Sequence, residues 1–172
     1  MNEVIKNILE RRSIRKFSDK PIPKEDLDLI VKAGLYAPSA MNKQTWRFTV
    51  LTKAEDIQEL AKAISKQTDR EGYDMYKPSV LIIPSNSNET KFGRDDNACA
   101  LENIFLAACS LGIGSVWINQ LQGICDEPEI RALLDKYGIP ADHVVYGMAA
   151  LGYSAETELR VIDRVGQVVV RD

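Results

Sequence analysis

The sequence predicts a single α+β domain. Segments with the apolar spacing of helices alternate with short apolar runs of strand length, and this mixture of periods is typical of that fold class. No internal repeat, low-complexity segment or Pro/Gly/Ser-rich linker divides the chain, so one domain is expected over residues 1–172. A length of 172 residues is also close to the roughly 150 residues typical of one domain.

In the first part of the chain, prolines and apolar spacing set the predicted boundaries. Apolar residues at helical spacing predict a helix over about residues 2–11. Pro23 suits the first turn of a second helix that reaches Leu35, because its missing N–H is not needed there. Pro38 then ends that helix, and the alternation in residues 46–52 predicts a half-buried strand.

Helical and strand patterns continue to alternate in the rest of the chain, apart from residues 65–76, which fit neither pattern. Apolar residues between 57 and 64 mark a third helix, and the long helix 95–111 ends at Gly112, a residue that favours helix ends. The remaining predicted elements are a strand at 79–84, a strand at 115–118, a helix at 127–137, a strand at 143–151 and a terminal strand at 167–171.

Composition disfavours several function classes. With 22 Lys and Arg against 25 Asp and Glu, the formal charge of −3 argues against binding to nucleic acid through bulk positive charge. The N-terminus does not have the pattern of a signal peptide, and no apolar run approaches the roughly 18 residues of a membrane span. We therefore expect a cytoplasmic protein with no membrane or nucleic-acid partner.

The cysteines and the histidine do not form a recognisable metal or disulfide pattern. There is no C-x-x-C pair, three cysteines leave one over, and His143 is the only histidine, so neither a disulfide framework nor a Cys/His zinc site is expected. We interpret Cys99, Cys109 and Cys125 as packing residues and His143 as a structural residue.

The strongest local signal is the basic segment Arg11–Phe17, which has four cationic side chains in six consecutive positions. If this segment is extended, Arg11, Ser13 and Arg15 lie on one side, because side chains alternate along a strand. Two guanidinium groups and a hydroxyl would then suit a phosphate monoester. Alternatively, these cations lie at the end of a helix, interact with its dipole and remain solvated. The segment alone does not decide between the two.

Two further segments could approach a planar ligand. The loop at 37–46 is rich in amide and hydroxyl groups, which match the N–H and C=O edges of a heteroaromatic ring. Gly112 and Gly114 lie between a helix and a strand, where the backbone can pass close to a flat ligand. An ordinary turn and a helix stop are the simpler interpretations of these segments. Rossmann, P-loop, serine-esterase and zinc-protease motifs are absent from the sequence.

Taken in order, these segments resemble the nitroreductase family of FMN-dependent oxidoreductases. The resemblance rests on RRSIRKF at 11–17, APSAMNKQTWRF at 37–48, the long helix with its exit GIGSVWI at 112–118, and ALGYSAE at 150–156. It implies a central, mostly antiparallel sheet flanked by helices. It also implies a homodimer that holds FMN at the subunit interface, with residues of both chains at each site.

The resemblance further implies roles for individual residues. Arg11, Arg12 and Ser13 match the segment that holds the FMN phosphate, ribityl chain and pyrimidine edge. Arg15 matches the cation near the flavin N1–C2 carbonyl, where a positive charge would stabilise the anionic reduced flavin. We therefore expect Arg15→Ala to weaken FMN retention.

The other implied contacts come from three later segments. One is a loop that approaches the flavin from the other subunit, one is a turn whose backbone amides face flavin N5 and O4, and one provides a second phosphate ligand. The residues are Pro38, Ser39 and Asn42 in the loop, Gly114, Ser115 and Val116 in the turn, and Arg164 as the phosphate ligand, with Arg160 as its competitor. We expect Trp117 and Tyr153 to be core or dimer-contact residues rather than substrate stackers, although Trp117 is close enough to the implied flavin for stacking to stay open. Glu102 is either a buried partner between helices or a surface charge.

The implied activity is ping-pong transfer of hydride from NADH or NADPH, through FMN, to an electron-poor acceptor such as a nitroaromatic or quinone. No protein nucleophile is needed for this chemistry. One alternative is an FMN-binding storage, sensor or partner-serving module without turnover. A second is an adaptor that binds a phosphorylated or nucleic-acid partner through residues 11–16, with steep salt dependence.

Overall fold

An antiparallel sheet forms the centre of the structure, a computed structural model that describes residues 1–158 and 163–171. Four strands lie in the order β1-β2-β5-β3, and the short β4 pairs with one end of β2. Their bounds are β1 Trp46–Leu51, β2 Val80–Ser87, β3 Gly114–Ile118, β4 His143–Val144 and β5 Met148–Gly152. Every pair among these strands is antiparallel, so the expected α+β class is confirmed.

Helices cover both faces of the sheet and follow the predicted positions closely. Within the described residues they are α1 Glu3–Glu10, α2 Lys24–Leu35, α3 Ala54–Gln67, α4 Gly93–Ser110 and α5 Pro128–Lys136, with a short 3-10 turn at Ala40–Asn42. None of these helices combines the length and the apolar character needed to cross a bilayer.

The sheet separates two apolar cores. Leu81 and Ile83 of β2 pack with residues of α3 and α5, whereas Val80 and Ile82 pack with residues of α2 and α4. All four side chains are buried. Because both faces are covered, β2 reads in the sequence as a continuous apolar run rather than an alternating one.

Three strand predictions differ from the structure. The strand predicted at 79–84 continues through Pro84 to Ser87. At Pro84, β2 pairs with β1 on one side and no longer with β5 on the other, so the N–H that proline lacks is not required there. The strand predicted at 143–151 is two strands, since its ends pair with opposite ends of β2 and residues 145–147 leave the ladder. The predicted strand at 167–171 is wrong within the described chain: residues 163–171 form no strand and are exposed, and no described strand lies beside them to satisfy their backbone.

His143 has the structural role that was expected. Its Nδ1 lies 3.0 Å from Oγ of the buried Ser85. Desolvation lowers the pKa of His143 below its ordinary value of 6.5, outweighing the opposite effect of the Asp142 carboxylate. The neutral imidazole is therefore the form that the fold prefers.

This preference predicts a loss of stability in mild acid. Below about pH 6.5 the unfolded chain binds the His143 proton more readily than the folded chain does, so the free energy of unfolding falls as the pH drops. Urea unfolding at pH 7.5 and 5.5 should show a larger fall for the wild type than for His143→Gln. An equal fall in both proteins would contradict the prediction.

Candidate active site

The basic segment leaves α1 as an extended chain that lies against β3. The backbone N of Ile14 donates to the carbonyl oxygen of Ser115 at 2.9 Å, and Ser13 forms an isolated parallel bridge with Ser115. The Ile14 side chain is only 5% exposed, whereas its neighbours Ser13 and Arg15 are exposed. The extended conformation required for a convergent site is therefore present.

Gly114 allows this close contact. A Cβ at this position would lie 2.9 Å from Cβ of Ile14 and 3.0 Å from the carbonyl oxygen of Gly152. Only glycine fits without moving the two segments apart. Gly112 has the simpler role of ending α4. It lies just after the last turn of the helix with a φ of 69°, and its N–H donates to the carbonyl oxygen of Cys109.

Arg11 and Ser13 open onto a cavity of about 210 Å³ between the extended segment, β3 and α4. Its lining residues are Arg11, Ser13, Ser115 and Val116, which the sequence predicted, together with Glu102, Phe105 and Trp117. A second cavity of about 150 Å³ shares Arg11 and Ser115 with the first and is also lined by Arg12 and Gly114. Pockets for ligands usually hold about 300–1,000 Å³, so each cavity is small for a complete site.

The Arg11 side chain has unused hydrogen-bonding capacity at this cavity. It is 24% exposed, and its Nε is buried without a hydrogen-bond partner. The closest ionic neighbour is Oε1 of Glu102, at 3.3 Å from Nε. Because a buried donor without a partner is unfavourable, the cavity suits a ligand that presents acceptor oxygens.

The other two arginines of the segment lie in different surroundings. Nη1 of Arg12 donates to the carbonyl oxygens of Leu9 and Arg11 at the end of α1. Arg12 therefore has the helix-terminal role that was the alternative interpretation of the segment. Arg15 is exposed and lines neither cavity, and its backbone N donates to Oε1 of Glu156.

The loop that contains Pro38, Ser39 and Asn42 lies at the amino end of α4. The backbone N of Ala40 donates to the buried carboxylate of Asp96 at 2.9 Å, and Asn42 donates its N–H to the carbonyl of Ser39. None of the three predicted residues lines the cavities at Arg11. The structure therefore brings Arg11 and Ser13 to β3 but leaves this loop separate within one chain.

The last predicted contact is also separate from the cavity. Arg164 is exposed and lines neither of the two cavities at Arg11. Its competitor, Arg160, lies outside the residues that the structure describes.

Two aromatic residues, Trp117 and Phe105, also line the cavity. Trp117 follows Ser115 by two residues on β3, so strand alternation places both on the same face. Trp117 is 39% exposed, and its ring centroid lies 6.1 Å from that of Phe105. Phe105 follows Glu102 by three residues on α4, a spacing that places both on one side of a helix. No local pattern shows that this side faces Arg11.

The cysteines differ from one another in their surroundings. Burial raises the pKa of the Cys109 and Cys125 thiols, so both stay protonated near neutral pH, and Cys125 packs in the core. Cys99 is exposed, so its interpretation as a packing residue is wrong. In residues 1–158 and 163–171, no group of three or more His, Cys, Asp or Glu side chains is placed to hold a metal ion.

Residues 8–153 match the Nitroreductase family. The chain belongs to the nitroreductase family. A Bacteroides fragilis nitroreductase solved with bound FMN is 42% identical to this chain. The structural match covers 100% of each chain, with a TM-score of 0.94. The FMN reductase [NAD(P)H] of Bacillus subtilis is 32% identical, in an alignment that covers 87% of this chain and 67% of that protein. A Desulfitobacterium hafniense nitroreductase solved with bound FMN is 26% identical, has a TM-score of 0.83 and covers 98% of this chain and 100% of that chain. The family predicted from the sequence is confirmed.

Proposed function

We propose that this nitroreductase-family chain is an FMN-dependent oxidoreductase that takes hydride from NADH or NADPH and reduces an electron-poor acceptor. Nitroaromatics and quinones are the acceptor classes, and the two half-reactions follow one another in a ping-pong order. The observation that carries the proposal is the cavity in which the buried, unpartnered Nε of Arg11 lies beside Ser13 and Ser115. When bound there, FMN supplies the hydride chemistry.

The residues at the cavity fit FMN. The Arg11 guanidinium can form charge-assisted hydrogen bonds with the phosphate. The hydroxyls of Ser13 and Ser115 can donate or accept, as the ribityl chain and the ring edge require. Gly114 and Val116 complete the wall on β3. Arg12 contributes by capping α1, which holds the start of the extended segment in place.

A second copy of the chain completes the site in this proposal. Each cavity is too small for the whole cofactor, and the loop with Pro38, Ser39 and Asn42 is available to approach the flavin of a partner. Apolar side chains without cover in the described chain offer an interface, because their burial favours association. They are Val4, Ile5, Ile8 and Leu9 on α1 and Val165, Val168, Val169 and Val170 near the C-terminus, with exposed fractions from 44% to 95%.

Reductive bleaching tests the proposal. The purified protein should be yellow, and anaerobic addition of NADH or NADPH should bleach its visible flavin absorption. A protein that carries no flavin and does not regain FMN on reconstitution would contradict the proposal. A yellow protein that neither reductant bleaches would instead support a storage or sensor role.

Arg15→Ala should weaken FMN binding only a few-fold. Arg15 is exposed and lies outside both cavities, and exposed charge contacts contribute about 0.2–1 kcal/mol. The dissociation constant for FMN should therefore rise by about 1.5- to 5-fold, as measured from flavin released on dilution. Unchanged affinity would show that Arg15 does not contribute to the site.

A further inference from the structure

Glu102 forms the acidic part of the wall at the Arg11 cavity. It lies on α4, its side chain is 49% exposed, and its Oε1 is 3.3 Å from Nε of Arg11. Both side chains line the cavity together with Ser13 and Ser115. The contact joins residues that are 91 positions apart in the sequence, so it depends on the packing of α1 against α4.

The geometry shows that this contact acts through charge rather than through a directed hydrogen bond. Nε of Arg11 is buried and has no hydrogen-bond partner, although the carboxylate of Glu102 is nearby. A poorly aligned contact holds a guanidinium weakly in one orientation. The Coulomb interaction of the carboxylate persists without alignment and extends to any anion bound at Arg11.

The pair leaves the cavity with one positive and one negative side chain. Arg12 donates instead to the backbone at the end of α1, and Arg15 lines neither cavity. A phosphate with two negative charges at Arg11 would therefore be attracted by the guanidinium and repelled by the carboxylate. A ligand without a phosphate would experience neither interaction at full strength.

We infer that Glu102 is a counter-ion that weakens the attraction of Arg11 for phosphate and so sets the preference of this site for FMN over riboflavin. Riboflavin has the same ring and ribityl chain as FMN but no phosphate. Glu102 is thus a specificity-determining residue for the cofactor. The inference rests on the proposed FMN site.

Dilution of flavin-loaded, full-length protein tests the inference, with free-flavin fluorescence as the readout. Glu102→Gln should lower the dissociation constant for FMN by about fivefold at about 0.1 M salt, while that for riboflavin stays the same. The gain should shrink at about 1 M salt, where charges are screened within roughly 3 Å. Glu102→Asp keeps the charge and should keep the wild-type preference.

Glu55→Gln is the matched control. It also removes one exposed carboxylate, but Glu55 lines a groove between α3 and α5 and not the Arg11 cavity. Its FMN and riboflavin affinities should equal those of the wild type. An equal gain in Glu55→Gln and Glu102→Gln would overturn the inference, because the effect would then follow net charge alone.

The remaining outcomes separate this inference from the proposed function. Weaker or unchanged FMN binding in Glu102→Gln, or an equal change for both flavins, overturns the role of Glu102 while leaving the FMN site in place. Wild-type protein that binds neither flavin overturns the proposed function, and the inference with it.

Discussion

Arg11→Gln should raise the dissociation constant for FMN by about 10- to 100-fold. Charge-assisted hydrogen bonds contribute about 1.5–3 kcal/mol, and each 1.4 kcal/mol corresponds to a tenfold change in affinity. In this structure Arg11 is the arginine of the basic segment whose buried donor lacks a partner at the cavity. The substitution also leaves Glu102 without its cationic neighbour, which increases the repulsion of a phosphate.

Flavin release on dilution measures this effect, and Lys16→Gln provides the control. Lys16 is an exposed cation of the same segment that lines neither cavity, so its loss changes the net charge equally. We expect its FMN affinity to fall by no more than about fivefold, the upper end for an exposed charge and less than the effect of Arg11→Gln. Wild-type affinity in Arg11→Gln would place the phosphate elsewhere.

Gly114→Ala should destabilise the fold by about 1–3 kcal/mol and also reduce FMN retention. The added methyl group would lie 2.9 Å from Cβ of Ile14 and 3.0 Å from the backbone carbonyl of Gly152. Because Cβ of Ile14 is bonded directly to the backbone and cannot rotate away, the extended segment has to move away from β3. That movement displaces Arg11 and Ser13, so stability and cofactor binding should fall together.

Urea unfolding of the flavin-free protein and the flavin content after purification measure the two effects. Gly34→Ala is the control: its added Cβ would lie 3.0 Å from side-chain atoms of Ile104 and Phe48, so stability should fall, but Gly34 lines neither cavity and the flavin content should stay that of the wild type. Wild-type stability with full flavin content in Gly114→Ala would show that the contact between Ile14 and β3 is not required.

Local sequence patterns predicted most of the fold, because apolar spacing and proline positions act on residues that are close together in the sequence. Apolar spacing located the helices, and prolines such as Pro23 and Pro38 marked where the second helix begins and ends. The errors occurred where pairing between distant residues decides the structure. Pro84 is tolerated within β2 because of which strands lie beside it, and residues 163–171 have no pairing partner among the described residues.

The site was predicted in part for a similar reason. Arg11, Arg12 and Arg15 are chemically identical, and the end of α1 together with the burial of Ile14 decides which of them reaches the cavity. The contact of Arg11 with Glu102 depends on tertiary packing, so sequence spacing could not reveal it. The separation of the loop containing Asn42 from the cavity also follows from the tertiary structure, and it supports the proposal of a site shared by two chains.

A crystal structure of the FMN complex is the most direct measurement of this proposal. We expect phosphate oxygens within about 3 Å of the Arg11 guanidinium and a flavin ring bounded by β3 of one chain and by the loop with Asn42 of a second copy. A phosphate bound away from Arg11, or a ring enclosed by a single chain, would contradict it.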